Sequence, residues 1–177
     1  MVVNDGKTGE SQELSYIPIK AVGNGSFGLV YQAKIVETGA SVAFKDFAHS
    51  PSKLKATVKA VKHQYPKRKL IACMELHTFS SLTEEFLPQY AGCMDEADEA
   101  FVYYNPEVIH HKHLKDITPE QVRLAFGNKN LTVFTDSGAL QKRLRELKYD
   151  HTALLLMTSG NFSGVNLKDF AKELLSK

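Results

Sequence analysis

The sequence predicts an α/β protein with a Rossmann-like layered sheet. We expect the sheet to be mostly parallel, with helices on both faces and a β-hairpin appendage at the N-terminus. Strand-like and helix-like segments alternate through residues 42–177, which is typical of layered α/β sheets. Residues 70–74 form a continuous apolar run, as expected of a parallel strand covered on both faces. The content of 43% hydrophobic and 24% charged residues fits an ordinary globular domain.

The N-terminal third is predicted to be β-rich after a polar tail. Residues 1–13 are expected to be disordered, and short strands are predicted at 16–22, 28–36 and 42–45. Residues 37–39 carry the turn signal Glu-Thr-Gly, which predicts a hairpin between the last two of these strands.

The helix at 51–65 is predicted from its apolar spacing and its ends. Leu54, Val58, Val61 and Tyr65 share one helical face. Ser50 suits the N-cap position, and Pro51 suits the first helical position. Pro66 is expected to end the helix.

The remaining elements follow the same alternation. They are a strand at 70–74, a helical stretch near 83–90, a strand at 100–104, a helix opened by the capping box at 118–121, a strand at 131–134, a helix carrying Leu140, Leu144 and Leu147, a strand at 153–157 and a last helix carrying Leu167, Phe170, Ala171 and Leu174.

Composition and charge argue against several classes of function. The net charge of +2 is too small to indicate nucleic-acid binding. Cys73 and Cys93 stand outside any CxxC pattern, so they are predicted to be thiols in a reducing compartment. The N-terminus lacks a signal-peptide pattern, and no apolar run is long enough to cross a membrane. We therefore expect a cytoplasmic chain that binds neither membrane nor nucleic acid.

Polar side chains follow each predicted strand. In an open parallel sheet, ligands bind outside the carboxyl ends of the strands. The residues that follow the five strands are Asp46 and His49; Glu75, His77, Thr78, Ser80 and Ser81; Asn105; Asp136 and Ser137; and the loop 158–164. Backbone amides at Gly160 and Gly164 could hold a carboxylate or phosphate. The alternative is structural, because loops after strands are polar in any such protein and Asp46, Asp136 and Ser50 could be helix caps.

Two further patterns at these positions leave their chemistry open. Glu75 and Asp46 could form an acid/base pair, although the sequence does not fix their separation. His110, His111 and His113 lie in a polar segment without the partner spacing of a metal site, so we expect no bound metal.

Four motifs at these strand ends resemble the C-terminal domain of the Mur ligase family. They are Asp46-Phe47-Ala48-His49-Ser50-Pro51, Glu75-Leu76-His77-Thr78-Phe79-Ser80-Ser81, Tyr104-Asn105-Pro106 and Ser159-Gly160-Asn161-Phe162-Ser163-Gly164. The resemblance runs from residue 44 to residue 177. Within the family, the motifs are most similar to those of the ligases that join murein tripeptide to UDP-N-acetylmuramate.

The resemblance implies an ATP-dependent amide ligase of peptidoglycan recycling. In that family ATP phosphorylates a carboxylate, an amine attacks the acyl phosphate, and the C-terminal domain closes over a central ATPase domain. The resemblance assigns Asp46 and His49 to nucleotide contact, and Ser159, Asn161 and His77 to the peptide. Ser80 and Asn105 are further candidate substrate-binding residues at the same strand ends. No catalytic residue is assigned within the chain.

The implied cofactors and partners follow from what the sequence lacks. The family's ATPase and UDP-sugar domains do not occur in the 177 residues. We therefore expect ATP to bind weakly or only with partner domains, magnesium to belong to the complete enzyme, and the chain to be inactive alone. The expected ligand is murein peptide or a UDP-N-acetylmuramate peptide.

A second resemblance precedes residue 46. Gly23-Asn24-Gly25-Ser26-Phe27-Gly28-Leu29-Val30 and Val42-Ala43-Phe44-Lys45 are similar to the Gly-rich loop and VAxK strand of shaggy-type glycogen synthase kinases. This resemblance implies that Gly23, Gly25 and Gly28 form a phosphate-approaching loop and that Lys45 contacts nucleotide phosphates. No HRD or DFG segment follows, so kinase activity is not expected.

These resemblances predict three segments: a tail at 1–13, a kinase-like β-hairpin fragment at 14–41 and a Mur ligase C-terminal domain at 42–177. Three hypotheses for the chain stay open. It is a detached substrate-binding domain, a non-catalytic fusion product that only folds, or a subunit that acts in trans with separate ATPase domains.

Overall fold

The computed structural model describes residues 2–4, 11–13, 24–25, 28–29, 33–38, 41–46 and 48–176. The strands are β1 (Val2–Asn4), β2 (Ser11–Glu13), β3 (Asn24–Gly25), β4 (Gly28–Leu29), β5 (Ala33–Thr38), β6 (Ser41–Asp46), β7 (Lys69–Glu75), β8 (Glu99–Tyr103), β9 (Leu131–Phe134) and β10 (Thr152–Met157). The α-helices are α1 (Pro51–Gln64), α2 (Pro106–His111), α3 (Pro119–Phe126), α4 (Ser137–Arg145) and α5 (Leu167–Leu175).

Six strands form the main sheet, in the order β5-β6-β10-β7-β8-β9. The four pairs from β6 to β9 are parallel, and only β5 runs antiparallel to its neighbour. The last strand in the chain, β10, lies in the middle of the sheet, where all of its residues are buried. This topology confirms the predicted α/β fold with a mostly parallel sheet.

Helices cover both faces of the sheet, as predicted. On one face, α1, α2 and α3 bury apolar side chains such as Val58, Ile109 and Phe126 in a large core. On the other face, α4 and α5 contribute Leu144 and Leu174 to a second core. Alternate strand residues point to opposite faces, so β10 supplies Leu155 to the first core and Leu154 to the second.

The predicted hairpin before residue 46 forms an edge of the main sheet. Strand β5 pairs with β6 from Thr38↔Ser41 to Ala33↔Lys45, with an irregularity between Lys34 and Val36. The sheet therefore includes residues 33–38, which the predicted division places in the N-terminal segment. Strand β6 is not an edge strand, because β5 pairs with one side of it and β10 with the other.

Two short antiparallel pairs precede this hairpin. Strand β1 pairs with β2, and β3 pairs with β4. The pair β1–β2 falls in the segment 1–13 that the sequence predicts to be disordered, and the strand predicted at 16–22 lies outside the described residues. The division at residues 13 and 41 stays a prediction.

Most helix predictions after residue 50 are confirmed, with three local differences. Ser50 occupies the N-cap position of α1, but its side chain makes no capping hydrogen bond. The stretch predicted as helical near 83–90 contains a 3-10 turn at Leu87–Tyr90, with another at Ser80–Leu82. Helix α2 was not predicted, although Asn105 caps it by accepting from the amide of Glu107 at 2.9 Å.

The capping box that opens α3 is present as predicted. Thr118 accepts from the Gln121 amide at 3.2 Å, and the Gln121 side chain accepts from the Thr118 amide at 2.7 Å. None of the helices in the described part of the chain is long and apolar enough to cross a membrane.

Candidate functional site at the carboxyl edge of the sheet

Five parallel strands end at one edge of the sheet. Their last residues are Asp46, Glu75, Tyr103, Phe134 and Met157. Strand β10 lies between β6 and β7, so the loop that follows it starts between Asp46 and Glu75. The amide of Thr158 continues the ladder by donating to the carbonyl of Asp46 at 3.0 Å. This edge is therefore centred on the loop 158–164.

The carboxylate of Glu75 holds the start of that loop. Glu75 is only 3% exposed, and its Oε2 atom accepts hydrogen bonds from the Thr158 hydroxyl and from the amide of Phe162, the latter at 3.0 Å. The Thr158 hydroxyl in turn accepts from the amide of Gly160 at 2.7 Å. A buried carboxylate needs such partners, because an unpaired one is costly to bury.

Side chains from two neighbouring strand ends hold the other half of the loop. The Tyr103 hydroxyl lies 2.7 Å from Ser163 Oγ, and Asn105 Nδ2 donates to the same Oγ at 3.3 Å. Ser137, at the start of α4, donates to the carbonyl of Phe162 at 2.6 Å. Burial raises the pKa of Tyr103, although the bond to Ser163 opposes the shift. The Tyr103 hydroxyl therefore stays neutral and able to donate.

The loop backbone is strained between these anchors. Phe162 and Ser163 have φ values of 50° and 59°, in the left-handed region that non-glycine residues avoid, and Gly164 follows at 94°. Such residues cost about 1–3 kcal/mol each and persist where surrounding contacts hold them, often at ligand sites. The ring of Phe162 is buried against Tyr103, with ring centroids 6.0 Å apart.

Ser159 and Asn161 flank Gly160 in this loop. Ser159 Oγ is buried and finds no hydrogen-bond partner among the described residues. Asn161 is exposed, and its Oδ1 accepts from the Gly164 amide at 2.8 Å. Asn161 thus offers an exposed amide that a ligand can hydrogen-bond, whereas the Ser159 hydroxyl is covered.

His77 follows the end of β7 and lies near the Glu75 carboxylate. His77 is half-buried, and its Nδ1 lies 3.8 Å from Glu75 Oε1. Ser80 is exposed in the short turn that follows, where its carbonyl accepts from the Thr83 amide at 3.1 Å and from the Thr83 hydroxyl. Phe79 is 57% exposed and lies under the Lys112 ammonium, 5.4 Å from the ring centroid.

The three predicted nucleotide-contacting residues differ in burial and in their contacts. Asp46 is 2% exposed and accepts from the Thr57 hydroxyl of α1 at 3.2 Å. Lys45 is exposed, and because adjacent strand residues alternate, its side chain lies on the face opposite to that of Asp46. His49 is half-buried, and its carbonyl accepts from the Tyr90 hydroxyl at 2.8 Å.

Of the predicted kinase-like glycines, Gly25 and Gly28 are register partners in the β3–β4 pair, and Gly23 lies outside the described residues. Among the residues that the structure describes, no group of three or more His, Cys, Asp and Glu side chains could hold a metal ion. His110 and Asp116 form an exposed pair at 3.0 Å. Cys73 and Cys93 are both buried free thiols, and burial raises the pKa of each.

Asp136 is the N-cap of α4, which agrees with the structural alternative given for it above. Its Oδ1 accepts from the amide of Ala139 at 2.6 Å, at the N-terminus of α4. The alternative of a Glu75–Asp46 acid/base pair finds no support in their partners, because Glu75 bonds the loop after β10 and Asp46 bonds α1.

The sequence placed Glu75, Thr158 and Ser163 at the strand ends but did not predict that these residues, together with Tyr103, anchor the loop. Glu75 is the one whose signal could have been found. It ends a strand whose other residues after Lys69 are all apolar. A carboxylate in that position is either exposed at the strand end or buried with partners, and the strand order decides which.

Comparison with known proteins agrees with this architecture. The family model described as "Mur ligase, glutamate ligase domain" matches residues 33–160. One solved structure with this fold shares 18% of its aligned residues with this chain. It is a domain described as coming from a UDP-N-acetylmuramate:L-alanyl-γ-D-glutamyl-meso-diaminopimelate ligase of Haemophilus ducreyi. The TM-score is 0.52, with 81% of this chain and 98% of that one covered.

Two longer proteins share the fold. A murein peptide ligase of Psychrobacter arcticus is 18% identical with a TM-score of 0.57, over 81% of this chain and 29% of that one. The UDP-N-acetylmuramate–alanine ligase of Thermotoga maritima is 12% identical with a TM-score of 0.54, over 80% and 28%. The chain thus spans less than a third of either ligase. Because the family model matches more than half of the chain, the chain belongs to the Mur ligase family through its glutamate ligase domain.

Proposed function

We propose that the chain is the substrate-binding C-terminal domain of an ATP-dependent amide ligase that joins murein tripeptide to UDP-N-acetylmuramate in peptidoglycan recycling, in the cytoplasm. The observation that carries the proposal is the loop 158–164, which groups from the ends of β7 and β8 and from the start of α4 hold in a strained conformation at the carboxyl edge. Ligands of open α/β sheets bind at this edge.

The groups on the loop suit a peptide with free carboxylates and amines. The exposed side-chain amide of Asn161 can donate to a carboxylate, and Ser159 and His77 are the further polar residues that we assign to the peptide at this edge. L-Ala-γ-D-Glu-meso-diaminopimelate offers several carboxylates and an amine. Holding that amine near an activated carboxylate is the task this domain would perform, since correct placement supplies much of the rate of a two-substrate reaction.

Nucleotide contact is a separate part of the proposal. The buried Asp46 carboxylate would have to leave Thr57 to reach a nucleotide, and Lys45 lies on the other face of the sheet. We therefore assign ATP contact to His49 first, with magnesium and the triphosphate held by further domains. Those domains would come from a longer protein or from a separate chain, and without them we expect no turnover.

A calorimetric titration tests the proposal. The purified chain is titrated with L-Ala-γ-D-Glu-meso-diaminopimelate, and the Asn161→Ala variant is titrated beside it. The matched control is Asn130→Ala, an exposed asparagine before β9 at the opposite edge of the sheet. We expect saturable binding that weakens in Asn161→Ala and is unchanged in Asn130→Ala.

The opposite results are equally clear. The absence of heat at millimolar peptide would refute peptide binding by this chain alone and favour the hypothesis of a folded fusion product. Equal weakening in the two asparagine variants would place the peptide away from the loop.

A further inference from the structure

Glu75 is the buried charge that ties the middle of the sheet to the candidate peptide loop. It is the last residue of β7, and its partners Thr158 and Phe162 lie 83 and 87 residues further along the chain. Both partners donate to the same carboxylate oxygen, Oε2. Hydrogen bonds to a buried charged group are stronger than those between neutral groups, so this contact is a principal anchor of the loop.

The loop needs such an anchor because its backbone is strained. Phe162 and Ser163 are both left-handed, and no glycine relieves the strain at these two positions. The amide of Phe162, the first strained residue, donates a hydrogen bond to Glu75. The Tyr103 hydroxyl bonds Ser163 Oγ instead, and the Ser137 hydroxyl donates to the Phe162 carbonyl. Glu75 also bonds the Thr158 hydroxyl, which holds the Gly160 amide.

We propose that Glu75 is the positioning residue of this site. It does not contact the peptide but fixes Ser159 and Asn161 in the arrangement that binds it. The inference rests on the proposed function in that it takes the loop 158–164 as the peptide contact.

The geometry of the two carboxylate oxygens makes the proposal testable with a conservative variant. Both loop bonds go to Oε2, while Oε1 faces His77 Nδ1 at 3.8 Å. A glutamine can place its amide oxygen at the Oε2 position and accept both bonds, with its amide nitrogen on the His77 side. Alanine can accept neither. Glu75→Gln should therefore keep the loop in place, and Glu75→Ala should release it.

The matched control is Asp98→Ala at the other edge of the sheet. Asp98 Oδ2 also accepts one side-chain and one backbone bond, from Lys62 at 2.6 Å and from the Leu70 amide at 2.7 Å. Leu70 is near the start of β7, so this carboxylate acts at the amino end of the strand that Glu75 closes. The control removes a carboxylate that accepts the same two kinds of bond, at a more exposed position, without touching the loop.

The experiment records ¹H–¹⁵N correlation spectra of the full chain and titrates each variant with L-Ala-γ-D-Glu-meso-diaminopimelate. In Glu75→Ala we expect the Gly160, Phe162 and Gly164 amide signals to shift or broaden, and peptide affinity to fall about tenfold or more, as loss of a charged hydrogen-bond acceptor implies. In Glu75→Gln we expect a smaller loss of affinity than in Glu75→Ala, since both bonds persist but their acceptor is neutral. Asp98→Ala should leave the loop signals and the affinity unchanged.

Failure of this inference and failure of the proposed function give different results. If the parent chain binds no peptide, the loop signals still decide whether Glu75 positions the loop. Unchanged loop signals in Glu75→Ala, or a Glu75→Gln variant as perturbed as Glu75→Ala, would overturn the inference. If Glu75→Ala does not fold, Thr158→Val takes its place in the experiment. The valine lacks the hydroxyl that links Glu75 to the Gly160 amide, so the same amide signals should shift. A spectrum like that of the parent would again overturn the inference.

Discussion

Replacement of Gly160 by alanine tests how tightly the loop packs on the Glu75 carboxylate. An added Cβ would lie 2.9 Å from Oε2 and 3.3 Å from Oε1 of Glu75, which is closer than carbon and oxygen atoms normally approach. The carboxylate cannot move away without losing hydrogen bonds, because Oε2 accepts from the Thr158 hydroxyl and the Phe162 amide. Either the loop or Glu75 must therefore move.

The cost follows from that choice. Forcing an extra carbon into a packed site costs about 1–3 kcal/mol, and losing a hydrogen bond to a charged group costs about 1.5–3 kcal/mol. We expect Gly160→Ala to lower the free energy of unfolding by about 1–3 kcal/mol. Urea denaturation measures this change, and a midpoint that shifts without a change in slope indicates a loss of stability alone.

Gly127→Ala is the control that separates steric conflict from backbone strain. Gly127 follows α3 with φ of 66°, and nothing lies within 4 Å of an added Cβ. Its replacement should cost about 1–2 kcal/mol through the left-handed backbone alone and leave the loop signals untouched. A Gly160→Ala variant as stable as the parent, with unchanged Phe162 and Gly164 signals, would refute the close packing of loop and carboxylate.

Three further predictions concern stability. Burial raises the pKa of Tyr104 to about 12, and its hydroxyl donates to the Ile117 carbonyl at 2.8 Å. The folded state thus favours the protonated form, so this stabilisation is full below about pH 10, the ordinary tyrosine value, and is lost as the pH rises towards 12. Tyr104→Phe should flatten the loss of stability over that range in alkaline urea titrations, and an unchanged slope would contradict the assignment. Burial raises the pKa of Asp98, but hydrogen bonds from Lys62 and a backbone amide outweigh this and hold it below its ordinary value. The stabilisation by Asp98 is present above about pH 4 and is lost as the pH falls through the lowered pKa. Asp98→Asn should therefore reduce the acid-induced loss of folded structure, which circular dichroism measures. An acid profile identical to that of the parent would refute this prediction. Leu154→Ala in the central strand, where the side chain is fully buried, should cost about 2–5 kcal/mol in denaturation experiments, and a cost below about 1 kcal/mol would argue against that packing.

Local sequence patterns predicted the elements well, because each pattern depends on residues close in the chain. The apolar spacing of residues 51–65 and the capping box at 118–121 gave helices whose observed bounds are Pro51–Gln64 and Pro119–Phe126. Helix α2 was missed because it has only six residues and its end is rich in histidine. Its signal was the Asn105-Pro106 pair, a cap followed by a proline at the first helical position.

The strand order could not be read from local patterns. Nothing near residues 152–157 indicates that the last strand inserts between β6 and β7. That insertion decides the site, because it brings Thr158 and Phe162 onto Glu75. The sequence therefore identified the loops at the carboxyl edge but not the side chains that organise them.

The burial of Asp46 shows the same limit. Its place after a strand and before a helix predicts either a ligand contact or a helix cap. In the structure its carboxylate accepts from Thr57, on the second turn of α1. That partner lies 11 residues away and is reached only because α1 packs back across the face of the sheet.

Mapping the peptide on the chain by NMR tests the central claim most directly. The ¹⁵N-labelled chain is titrated with L-Ala-γ-D-Glu-meso-diaminopimelate, and the amide signals that move are assigned to residues. We predict that the largest saturable shifts occur at Ser159, Gly160, Asn161 and Gly164 and near His77. Shifts confined to residues of α4 and α5, such as Arg145 and Glu173, or no saturable shifts at all, would contradict the account.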